Sequence, residues 1–385
     1  MIKKMLRVCA STAVVAMAVS LSACSSPSQN GSGSDTADTS KWATALSAEE
    51  GGGLAELEKA ANAEGQLNVI ALPHNWSNYG EVIEGFKKKY PAIKINELNP
   101  NASSADELKA AQTNKGTDKA PDVFDLGIGT AVISTDKFAP YKVAAWDSIP
   151  DDVKESSGLY YGDYTGVMTL GYNKTKYGTI DISNLKTSLA DPKFKNTVAL
   201  NGKPSEAGSA ANGFLAVNLN QGGSITHFQP GLDFFAALKE AGTLTTIDVT
   251  DATIDSGQTG VVFDWSYNQV STQERLKTQQ NVEWTIVTLP HGEVEQYYNQ
   301  AISKDAPHPA AARLWEEYLY TADVQNAWLR GGAIPALYAT MQKDGSLDQA
   351  AAEKLPAVSA PFNYTASQAD AMTKWLAAHW DKTIG

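Results

Sequence analysis

Carboxylates set beside aromatic and amide side chains recur in this chain just after short apolar runs, and such residue types can hold a solute. After "QLNVIAL" comes "PHNWSNYG", which offers Asn75, Trp76 and Tyr79. "NPNASSAD" brings Ser103 to a helix start, where bare N–H groups either receive an anion or are capped by the serine itself. "DVFDLG" carries Asp125, "NGKPSEAGSAANG" carries Glu206 and Ser209, and "GVVFDWSYN" carries Asp264, Trp265, Tyr267 and Asn268. An acid inside an apolar strand stays charged only if it is paired or hydrogen-bonded. Asp264 is therefore a structural partner or a ligand contact, and of the two the ligand contact is preferred. Acids among Trp and Tyr suit cages for cations and walls for sugars.

Signals for covalent chemistry are missing from the same stretches. The sequence has no Gly-x-Ser-x-Gly elbow and no His-Glu-x-x-His helix. Its glycine-rich loop at 201–213 lacks the Gly-Lys-Ser/Thr ending of a phosphate loop and the dinucleotide fingerprint. Asp125, Glu206 and Asp264 could form a glycosidase pair only at a separation that sequence does not give. His74, His227, His291, His308 and His379 stand singly, without the spacing of metal ligands. A receptor without a cofactor fits these residues better than an enzyme does.

Composition bounds the class further. The formal charge of −12 leaves no electrostatic footprint for nucleic acid. Of the two cysteines, Cys9 lies in an apolar run that follows Lys3, Lys4 and Arg7, and Cys24 closes the tetrapeptide Leu21-Ser22-Ala23-Cys24. That pattern reads as a signal peptide over 1–23, and a Ser/Gly-rich tether follows over 24–40. The tetrapeptide resembles the bacterial lipobox, which implies lipidation of Cys24 and an exported protein held at the outer face of the cell membrane.

These side chains need a scaffold, and the apolar pattern supplies one. Helical periodicity over 54–64 and 78–90 alternates with strands over 66–72, 92–98 and 122–127, with Ser104 and Glu107 in capping-box spacing between the last two. Three consecutive βα units predict a parallel sheet. Further strands are expected over 164–174, 197–200, 260–268 and 282–290, and helices dominate from 306 onward. The chain is long enough for two α/β lobes.

The lipobox, "EGQLNVIALPHNWSNYGEVIEGFKKKYPAIKIN", "APDVFDLG", "GVMTLGYNK" and "APHPAAARLWEEYL" together resemble bacterial ABC-importer solute-binding lipoproteins, nearest to the polyamine, ferric-iron, thiamine and phosphonate group. The resemblance implies a two-lobed type II periplasmic-binding-protein fold with a ligand cleft between lobes. One lobe would take 41–166 plus 304–345 and the other 167–303, with crossover strands near 167–173 and 288–303 and a helical segment over 346–385 packed on both. It also implies a monomer that hands solute to a permease and its ATPase subunits. Asp125, Glu206 and Asp264 with Trp76, Tyr79, Trp265 and Tyr267 match what polyamine binders use, so putrescine or spermidine is the expected ligand. Ferric iron, whose binders in this group use adjacent tyrosines that the doublets Tyr160-Tyr161 and Tyr297-Tyr298 resemble, and a phosphonate or thiamine are alternatives within the class. A surface-anchored glycoside hydrolase and a sensor lipoprotein are alternatives outside it.

Overall fold

The computed structural model describes residues 39–355 and 361–385. The expected signal peptide and most of the tether, Cys24 included, lie outside them. Among the described residues no helix is long and apolar enough to cross a membrane.

Ten strands organise the described residues. They are β1 (Gln66–Ile70), β2 (Lys94–Leu98), β3 (Val123–Gly127), β4 (Phe138–Ala139), β5 (Tyr161–Asn173), β6 (Val198–Leu200), β7 (Val261–Trp265), β8 (Trp284–Val287), β9 (Glu295–Ser303) and β10 (Ile334–Pro335). β1 and β2 pair in parallel, as the sequence pattern predicts. The expected parallel sheet stops there. β3 pairs instead with β9, antiparallel, and the larger sheet runs β3-β9-β5-β7-β6. The reason lies in side chains that occupy the edge between β1 and β3. Asn68 N donates to Asp122 Oδ2 at 2.7 Å, and Asn68 Nδ2 donates to the carbonyls of Asp118 and Ala120 at 2.8 Å each. A side chain that satisfies the backbone locally takes the place of a ladder bond.

β5 is the element both lobes share. Its first half pairs with β9, through residues 161–167, and its second half pairs with β7 and β8, through 168–173. All but its last residue are buried, Asp163, Thr165 and Thr169 included, so it has no solvent-facing side. The chain returns beside it at Val294–Gln296, where Phe362 N donates to Glu293 O and Glu295 N donates to Phe362 O. The C-terminal helix Ala366–Thr383 then lies on both sides of the crossing. Trp375 and Trp380 pack tilted or edge-on against Phe214, Phe228 and Phe235, while Thr373 fills the space over Gly129.

At the bottom of the cleft the lobes touch through bare backbone. A Cβ on Gly127, at the end of β3, would fall 2.8 Å from Gly208 Cα, and one on Gly208 would fall 2.9 Å from Gly127 Cα. Backbone cannot yield as a flexible side chain does. Gly208→Ala should therefore prop the lobes apart. Small-angle scattering of the ligand-free protein should show a larger radius of gyration than the parent, and an unchanged radius would refute the contact.

Candidate functional site

The loops that leave β1, β3 and β7 converge with two helix starts on one cavity of about 500 Å³. Asn75, Trp76, Ser103, Asp125, Glu206, Ser209, Asp264 and Asn268 all border it. Tyr79, Trp265 and Tyr267, also expected there, do not. Tyr79 lies on the buried face of helix Tyr79–Lys89 with Val82, Ile83 and Phe86. Trp265 follows Asp264 on a strand, so it points to the opposite face, and Tyr267 is buried in the first turn of helix Ser266–Gln280. That helix also replaces the end of the strand expected over 260–268. Sequence reasoning missed Glu107, Asn201, Lys203, Asp251 and Tyr298 as lining residues.

Asp125 is the most constrained of these side chains. It is 5% exposed, and its Oδ2 accepts from Tyr79 Oη at 2.9 Å and from Tyr164 Oη at 3.1 Å. Its Oδ1 is buried without a hydrogen-bond partner. Burial pushes this carboxyl up from the usual range, and the two phenols pull it part of the way back. Behind it Asp163 is pushed up by burial and by the Asp125 charge, with Gln300 Nε2 donating to its Oδ2 at 2.8 Å. Glu107 accepts from Asp125 N at 3.0 Å, and burial raises it as well. The aromatic wall beside Asp125 comes from both lobes. Trp76 Nε1 donates to Tyr164 Oη at 2.8 Å, and the Trp76 ring meets Tyr298 and Tyr267 edge-on at 5.7 and 5.8 Å.

The helix that braces β3 departs from the expected cap in an informative way. Ser103, not Ser104, is its N-cap, with Asp106 as the reciprocal partner. Ser104 and Glu107 share the capping-box spacing because both reach β3 from one helix face: Ser104 Oγ accepts from Gly127 N at 3.1 Å while Glu107 accepts from Asp125 N.

Asp264 is satisfied where Asp125 is not. Ser209 Oγ, Trp265 N, Asn201 Nδ2 and Asn268 Nδ2 donate to it at 2.7, 2.8, 2.9 and 3.1 Å. Burial outweighs these four donors and pushes it up to about 6. At the mouth, Asn75 Nδ2 donates to Asp251 Oδ2 at 2.9 Å across the cleft, and Arg275 binds Asp251 at 2.9 Å and also Asp255. Lys203, the only basic lining residue among those described, lies between Glu206 at 2.7 Å and Asp381 at 2.8 Å. Seven acidic side chains border the cavity against that one lysine. Of the tyrosine doublets, only Tyr298 reaches it; Tyr161 packs in the core against Trp146 and Tyr320.

Asp264→Asn should disorder Ser209, Asn201 and Asn268 and lower the melting temperature. The deficit has a pH signature. Because the folded pKa of about 6 lies above the unfolded one, the stability linked to Asp264 protonation is full below about pH 4 and fades as pH rises through about 6. The melting deficit of the variant should narrow between pH 4.5 and 8; a constant deficit would contradict the assignment.

Three solved structures share the fold. The periplasmic binding protein P5PA matches with a TM-score of 0.63 at 16% identity, over 83% of this chain and 100% of that one. AfuA from Actinobacillus pleuropneumoniae, with fructose-6-phosphate bound, matches at 0.61 and 16% identity, over 83% and 98%. The ferric binding protein from Campylobacter jejuni matches at 0.59 and 17% identity, over 82% and 99%. Among curated proteins no relative is found. The profile of a family described as bacterial extracellular solute-binding protein matches residues 118–360, which include β3, all of β5 and the Asp264 loop. A two-lobed α/β fold around an acid-lined cleft, with that match over most of its length, is a binding protein and not an enzyme, and the chain belongs to the bacterial extracellular solute-binding proteins.

Proposed function

We propose that this solute-binding receptor of an ABC importer captures a small cationic solute, a polyamine such as putrescine or spermidine being the expected one, and delivers it to a permease. The observation that carries the reading is Asp125, a buried carboxylate with an unpartnered oxygen, beside Trp76 and Tyr298 in a cavity where acids outnumber basic residues seven to one. A cation would supply the missing partner and meet the aromatic faces that favour it. An anion would meet repulsion instead, since none of the three arginines that follow the expected signal peptide, Arg275, Arg313 and Arg330, borders the cavity. Neither tyrosine doublet meets in the cavity, which leaves ferric iron less well supported. What the structural relatives bind does not transfer at their level of identity.

Lipidation of Cys24, the Ser/Gly tether and a monomeric receptor complete the proposal. They rest on the lipobox and on the family. Closure is read as a population shift, driven by the ligand's preference for the closed cleft.

Putrescine at about a hundred times its dissociation constant should stabilise the mature protein by roughly 2.7 kcal/mol. The shift in melting temperature should vanish in Asp125→Asn. Affinity should rise between pH 5 and 8, because Asp125 must lose its proton to pair with the ammonium and its carboxyl is raised. Silence toward putrescine and spermidine, with a shift for ferric salts or a phosphonate, would keep the receptor and overturn the ligand class.

A further inference from the structure

The acids that border the cleft are not equally available to a ligand. Asp264 holds four donors, Asp106 is occupied by the Ser103 cap, Glu206 by Lys203, and Asp251 by Asn75 and Arg275. Asp248 is exposed to solvent. Glu107 is engaged by Asp125 N, and burial together with the Asp125 charge pushes its carboxyl up, so it adds little negative charge of its own. What remains is a single buried acceptor, Asp125 Oδ1, walled by Trp76 and Tyr298.

We infer that the cleft reads one end of its solute, an ammonium that carries N–H bonds, and is nearly indifferent to a second charge at the other end. The inference rests on the cationic reading above and narrows it. The N–H requirement follows from Asp125 Oδ1, a buried acceptor that gains a hydrogen bond only from a head able to donate. A quaternary ammonium would satisfy the rings of Trp76 and Tyr298 and leave that oxygen unpaired. The indifference to a second charge follows from the mouth. There a distal ammonium would meet only Asp248 in solvent, or compete with Arg275 for Asp251, and exposed ion pairs change affinity by no more than about fivefold. The rest of the solute would lie along amides and hydroxyls, those of Asn201, Asn268 and Ser209, which suits a neutral polar group.

The test is calorimetric titration of the full chain, purified in detergent, with ethanolamine, putrescine and choline. Ethanolamine should bind within about tenfold of putrescine, and choline at least tenfold more weakly than ethanolamine. Asp125→Asn should lose at least tenfold for ethanolamine and for putrescine while keeping a cooperative melting transition. Putrescine more than tenfold tighter than ethanolamine, or choline less than tenfold weaker than ethanolamine, overturns one-ended recognition and leaves the cationic reading standing. No heat from any of the three overturns both. Unchanged ethanolamine binding by a folded Asp125→Asn places the head elsewhere and overturns the inference.

Discussion

A carboxylate inside a protein must find donors or lose its charge, and Asp125 has been given donors on one oxygen only. Much of the first lobe is arranged around that side chain. Tyr79 reaches it from a helix, Tyr164 from β5, and Glu107 holds its backbone from a third element. Gln300 on β9 ties Tyr79 and Asp163 into the same network, donating to Tyr79 Oη at 3.1 Å. Removing any one member leaves a buried polar group unpaired, which typically costs about 1–3 kcal/mol. Such a network fixes the direction of the unpartnered oxygen by fixing everything else.

The contrast with Asp264 explains how two similar acids do different work. Each sits near the end of an apolar strand, and each is 5% exposed. Asp264 gathers donors from the loop after β6, from the start of helix Gly208–Asn220 and from helix Ser266–Gln280, so it holds three parts of the second lobe in register. Its worth is positional: Ser209, Asn201 and Asn268 face the cavity because Asp264 orients them. The first lobe thus presents an unsatisfied charge and the second a finished polar surface. β5, running through both half-sheets, keeps the two in one frame.

The sequence showed a good part of this and hid the rest for definable reasons. Strand ends announce themselves by apolar runs, and in an α/β fold the segments after them form the cleft, so eight of the eleven expected lining residues could be found by position. Trp265 and Tyr79 were misplaced although the needed signal was present. Period-two alternation puts Trp265 opposite Asp264, and helical spacing puts Tyr79 on the stripe of Val82, Ile83 and Phe86. Tyr298 and Asp251 were out of reach, because only the pairing of β9 with β3 and the folding of the mouth bring them in. The parallel sheet failed where Asn68 and Asp122 bond across the edge, a competition between side chain and ladder that propensity does not record.

The same unsatisfied oxygen bears on closure. Trp76 from one lobe packs on Tyr267 of the other, Asn75 bonds Asp251 across the mouth, and Gly127 meets Gly208 at the floor. These contacts favour the closed arrangement with or without solute. Asp125 is nevertheless buried with Oδ1 unpartnered, and a buried carboxylate lacking a partner carries a desolvation cost in the empty protein. On the cationic reading, a bound ammonium removes that cost and little else has to change. A ligand shifts an equilibrium only by its differential interaction with the two states, and here that difference is concentrated on one atom.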